Sequence, residues 1–117
     1  MSPKEPYKLC TVNKVPTRAK VLIGRLVESQ KESYTIDYVS NAERIEDVKT
    51  MVEEYKPDVL FVASMWTGEE AEEIFSIARE VKPEIKTLAI PFGLQIEKGP
   101  EAVVEFLNCG WPKLIEG

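Results

Sequence analysis

The run Val-Leu-Phe-Val-Ala at residues 59–63 constrains the fold more than any other stretch of the chain. It shows no polar alternation, so a strand built from it needs apolar cover on both faces. The turn pair Pro57-Asp58 opens it, and Thr67, Gly68, Glu69 and Glu70 follow with the form of a capping box that starts a helix. A strand covered on both faces and flanked by helices belongs at the centre of a parallel sheet.

Elsewhere the pattern alternates strand and helix without repeats or linker. Residues 9–12 read as strand one, and Pro16-Thr17 begins a helix. Its inward face is Ala19, Leu22, Ile23, Leu26 and Val27, spaced i, i+3, i+4, i+7 and i+8. Residues 34–39 alternate, with Tyr34, Ile36 and Tyr38 on one side, which suits a sheet edge. Ser40, Asn41, Ala42 and Glu43 have the form of another capping box. The helix expected after it turns Ile45, Val48, Val52 and Tyr55 inward. After residues 59–63, the third helix buries Ala71, Ile74, Phe75, Ala78 and Val81. Residues 87–90 read as strand four, residues 91–99 as a loop, and 100–109 as a short helix closed by Gly110. Residues 113–115 read as a fifth short strand that Trp111 anchors or, alternatively, leave Trp111 to cover a bare sheet face.

This series predicts a single three-layer, doubly wound α/β domain over residues 8–117, with residues 1–7 as a loose lead-in. The expected strand order is 2-1-3-4-5, the flavodoxin-like arrangement, without a final helix. In such a fold ligands bind outside the carboxyl ends of strands one and three. Asn13 and Lys14 stand there on one side, Ala63, Ser64 and Met65 on the other.

The totals exclude several functions. The chain has 117 residues, 44% hydrophobic and 30% charged, which suits one folded domain. With 15 basic and 20 acidic side chains the net charge is −5, which argues against a nucleic-acid partner. No apolar run is long enough to span a membrane. The N-terminus lacks the apolar core of a signal peptide, so a cytoplasmic location is expected. There is no histidine, which removes the commonest general base and metal ligand. Cys10 and Cys109 match no metal spacing and are expected to be free, buried thiols. Many Lys and Glu with few Asn and Gln point to a thermophilic source.

The element order and the segment KPDVLFVASM resemble a response-regulator receiver domain, with Pro57, Asp58 and Met65 in register. The resemblance implies a phosphoacceptor aspartate at the end of strand three, two acidic residues after strand one, a Ser or Thr ending strand four and a Lys ending strand five. This chain has Ala63, Asn13-Lys14 and Ile90-Pro91 at the first three places and no match for the lysine. Ala has no nucleophile, and an amide beside a cation does not replace the carboxylates that neutralise Mg²⁺. The expectation is therefore a pseudo-receiver without a phosphoryl switch, with one sheet face open to a partner or second copy. The same segment is also similar to cobalamin-binding domains, where Ser64 matches the first position of an S-x-L motif. The histidine that would bind cobalt is absent.

Two candidate sites follow. Lys14, Arg18 and Lys20 surround a helix start, where cations oppose the macrodipole. A small anion held with Asn13, Thr17, Ser64 and Thr67 would resolve that, as would carboxylate neighbours within an acidic protein. Thr67 also reads as a helix cap. Met65, Trp66, Phe92 and Leu94 lie on loops at the carboxyl edge, where they form either a partner-binding patch or a seal over the core. Glu72 and Glu73 read as a solvated helix start. The leading expectation is a non-catalytic module with no cofactor, acting by protein contact, homodimerisation or anion sensing. The competing class is an enzyme or carrier with corrinoid, flavin or nucleotide in the crevice.

Overall fold

The computed structural model of the chain describes residues 6–116. Four parallel strands form one sheet: β1 (Tyr7–Val12), β2 (Ile36–Ala42), β3 (Val59–Val62) and β4 (Lys86–Ala89), in the order β2-β1-β3-β4. β3 is buried along its whole length, as its unbroken apolar run demands, whereas every residue of β4 is only half-buried. The expected order of the first four strands is the observed one.

Helices cover both faces. On one side α1 (Pro16–Gln30) and α4 (Leu94–Glu116) pack on Leu9, Val59 and Phe61. On the other, α2 (Val48–Tyr55) and α3 (Gly68–Val81) pack on Cys10, Leu60 and Val62. The split follows from strand periodicity, which sends alternate side chains to opposite faces. α3 begins as expected: the Thr67 hydroxyl accepts from Glu70 N–H at 3.2 Å, and Glu70 Oε1 accepts from Thr67 N–H at 3.0 Å.

The second expected capping box is absent. Residues 40–42 continue β2, pairing Ser40, Asn41 and Ala42 with Cys10, Thr11 and Val12. A short 3-10 turn, Ile45–Asp47, precedes α2. The strand outcompetes the cap because Asn41 spends its side chain across the sheet, on Thr11 and Asn13.

The C-terminal expectations need a larger correction. Residues 113–115 form no fifth strand, and Gly110 ends no helix; α4 runs on to Glu116. Gly110 serves close approach instead, because a Cβ there would stand 3.2 Å from Leu88 Cδ2. Pro112 offers no N–H to the carbonyl of Asn108 one turn back. The amide of Gln30, from α1, donates to that carbonyl at 3.4 Å and to Asn108 Oδ1 at 3.1 Å. The helix does break earlier, at Gly99, whose φ of 83° and ψ of 176° leave the helical region and let Pro100 restart it. The face expected to be open is thus covered by α4. Trp111, fully buried, meets Tyr7, Tyr34 and Phe61 edge-on at centroid distances of 5.7, 5.9 and 6.1 Å. The second expected buried thiol is also corrected: Cys10 is buried, but Cys109 is exposed on α4. Among the described residues no helix is long and apolar enough to cross a membrane.

Candidate functional site at the carboxyl edge of the sheet

The winding of the sheet reverses between β1 and β3, and their carboxyl ends lie side by side: Ala63 N–H donates to Val12 O at 3.1 Å. Asn13 and Ala63 therefore share one mouth. Both are buried, and beneath them, among Thr11, Phe61, Ile90 and the α1 and α4 residues Ala19, Leu22, Ile23 and Leu107, lies an interior cavity of about 20 Å³. That is room for about one water molecule.

The mouth is closed by the chain's own groups. The Trp66 indole is buried there and its N–H donates to Val12 O at 2.8 Å. Lys14 N–H donates to Met65 Sδ at 3.1 Å, and the Lys14 ammonium lies 4.9 Å from the centroid of the Trp66 ring. This cation–π contact gives the lysine a partner within the protein. Ser64 is buried; its carbonyl accepts from Gly93 N–H at 2.9 Å and its hydroxyl from Gln95 N–H at 3.4 Å. Gly93 makes this turn at φ +82°, a conformation that favours glycine.

A polar chain runs behind the mouth. Thr11 Oγ1 donates to Asn41 Oδ1 at 2.6 Å, an oxygen that cannot donate in return. The single Thr11 proton is thereby used, so the Tyr38 phenol, also at 2.6 Å, is the donor to Thr11. Burial raises the Tyr38 pKa, which keeps that donor protonated. Asn41 Nδ2 donates to Asn13 O at 3.0 Å, and Asn13 Oδ1 accepts from Val15 N–H at 2.7 Å. Neutral amides and hydroxyls thus occupy the end of β1 where the receiver resemblance expects carboxylates. Sequence reading missed Thr11, Tyr38 and Asn41. Their polar groups at neighbouring positions on β1 and β2 were the signal the sequence offered.

The other expected site residues do not all gather here. Thr17 and Arg18 are exposed on the first turn of α1. Pro16 has no N–H there, and Arg18 and Ala19 N–H both turn onto Val15 O at 3.1 Å. The helix start is therefore poorer in free donors than its position suggests. Thr67 is exposed and occupied as the α3 cap. The apolar set does not form one patch: Met65 packs against the α2/α3 side, Leu94 against the α1/α4 side, Trp66 is buried, and Phe92 is 65% exposed. Asp58 sits at the opposite end of β3, accepting from Lys8 N–H at 2.9 Å with Lys82 Nζ at 3.4 Å. Among the described residues no three Cys, Asp or Glu side chains converge to hold a metal ion.

Solved structures share this architecture. The signal receiver domain of NarL from Mycobacterium tuberculosis aligns with a TM-score of 0.59 and 14% identity, over 88% of this chain and 78% of that one. The non-phosphorylated receiver domain of the stress response regulator RcsB from Escherichia coli aligns at 0.53 and 9%, over 89% and 77%. The RcsB receiver domain from Salmonella enterica serovar Typhimurium, solved with the phosphomimetic BeF3−, gives 0.53 and 9%, over 89% and 73%. The chain has a receiver-like fold. No family model and no curated protein matches it. At such identities the likeness concerns architecture, so any function has to be read from the residues.

Proposed function

We propose that this chain is a receiver-fold binding module that works through protein–protein contact and has no phosphoryl switch. The observation that carries the reading is the plugged mouth. Ala63 follows β3 without a nucleophile, and the Trp66 indole is buried nearby on a 2.8 Å hydrogen bond to Val12 O. A phosphoryl group needs an acceptor oxygen and a neutralising cation site. Here the same positions hold a methyl group, an indole and an amide network.

The cavity size weighs against the carrier reading as well. Cofactor pockets run to roughly 300–1,000 Å³, whereas the void that Asn13 and Ala63 share with Ala19, Leu22, Ile23 and Leu107 holds about 20 Å³. Anion sensing at the start of α1 is weakened by the missing N–H of Pro16 and the committed N–H groups of Val15 and Arg18. Contact with another protein needs neither an internal cavity nor a reactive group.

The test is incubation with acetyl phosphate and Mg²⁺, followed by intact-mass spectrometry. The expected result is no phosphoryl adduct. An acid-stable, base-labile adduct on any aspartate would overturn the proposal.

A further inference from the structure

β4 is the last strand of the sheet, and its outer edge has no strand partner among the described residues. Lys86 N–H donates to Asp58 O and Ile90 N–H to Val62 O, both at 2.9 Å. Strand alternation then turns the backbone N–H and C=O groups of Thr87 and Ala89 away from β3. The free ladder is short and bounded. Ile85 N–H turns back onto Lys82 O at 3.0 Å, and Pro91 has no N–H to offer.

The surroundings of this edge differ on its two sides. Arg79 of α3 donates to Thr87 Oγ1 at 3.0 Å, which places the exposed stripe of α3 beside β4. Along that stripe Glu72, Glu73 and Glu80 flank Ser76 and border a shallow, open depression of about 830 Å³. On the other side lies Leu88, only half-buried, against Gly110 of α4, with the half-buried Phe106 one turn before it. A strand added here would send alternate side chains to a helix face that is acidic apart from Arg79, and to an apolar one bordered by Lys86.

We propose that the β4 edge binds an extended partner segment of alternating basic and apolar residues, added to the sheet as a fifth strand. Backbone bonds to Thr87 and Ala89 supply the pairing, and the two flanking helices supply the side-chain selection. A second copy is a poor occupant. Pairing β4 with its own symmetry mate brings one glutamate stripe toward another in a chain of net charge −5. This inference rests on the protein-contact reading and names the contact surface within it.

The experiment titrates the ¹⁵N-labelled chain with a synthetic Lys-Val alternating peptide of roughly six residues, a usual strand length. Expected are saturable shifts at the amides of Thr87 and Ala89, weakening as salt rises. A Glu-Val peptide of equal length should not bind. The double variant E72K/E73K, which changes only exposed positions, should bind the Lys peptide about tenfold more weakly, as two surface charge contacts allow. Thr87→Pro removes an outward N–H without touching the β3 ladder and should abolish the Ala89 shift.

Equal binding of both peptides, shifts confined to other surfaces, or unchanged binding by both variants would overturn the proposal. So would a dimer in sedimentation that Thr87→Pro dissolves, since that makes a second copy the occupant. Phosphoryl labelling would refute the binding-module reading and leave the edge assignment standing; peptide failure would do the reverse.

Discussion

Replacing Trp111 tests whether the C-terminal segment is a docked helix. Its side chain is 0% exposed and touches three aromatic rings edge-on. A Trp buries roughly 200 Å², worth about 5 kcal/mol at ~25 cal/mol per Å². Against this stands one cost: the indole Nε1–H is buried without a hydrogen-bond partner. Such an orphan costs about 1–3 kcal/mol. Trp111→Ala should therefore lose about 2–4 kcal/mol, comparable to other large-to-small core changes. Trp111→Phe gives up part of the ring contact but also removes the orphan donor, so it should stay within about 1 kcal/mol of the parent. The assay is urea unfolding followed by far-ultraviolet circular dichroism, read as a shift in midpoint at constant slope. A loss below about 1 kcal/mol for Trp111→Ala would refute the reasoning, because a side chain that ranks among the core's largest would then contribute little. Helical carbon shifts at residues 113–115 should accompany the parent protein; extended-strand shifts there would restore the fifth strand.

Two further outcomes are expected. Burial pushes the Cys10 thiol up to about 12, while Cys109 is exposed; under native conditions near neutral pH, iodoacetamide should label Cys109 alone, with Cys10 reacting only after unfolding. The two-pronged bridge from Arg25 to Glu101, at 2.9 and 2.7 Å, ties α1 to α4 and lowers the Glu101 pKa, chiefly through the hydrogen bond and then through charge. Its contribution is complete above the ordinary carboxylate pKa and fades as pH falls through the lowered value. Glu101→Gln should therefore flatten the acid limb of a stability–pH profile and leave stability almost unchanged once the pH is below the lowered Glu101 pKa.

The sequence by itself determined the winding. The apolar run at 59–63 pointed to a central strand, the spacing along residues 19–27 to one helical face, and Thr67 with Glu70 to a helix start; each is a local pattern of period or capping that the fold leaves in place. The absence of a nucleophile at Ala63 was equally legible, because residue identity is enough to exclude that chemistry. Tertiary structure decided the rest. Gly110 and Pro112 carry the local signs of a helix end, yet the helix continues, because Leu88 needs the glycine's close approach and Gln30 caps the carbonyl that proline leaves bare. Ser40 to Glu43 carry the signs of a helix start, yet Ser40, Asn41 and Ala42 stay in β2, because Asn41 finds Thr11 and Asn13 across the sheet. Trp66 reads as a loop aromatic in the sequence and becomes the plug of the mouth only when Val12 is brought beside it. In each case a partner distant in the chain offered a better hydrogen bond or a tighter contact than the local pattern did, and only the folded sheet brings such partners together.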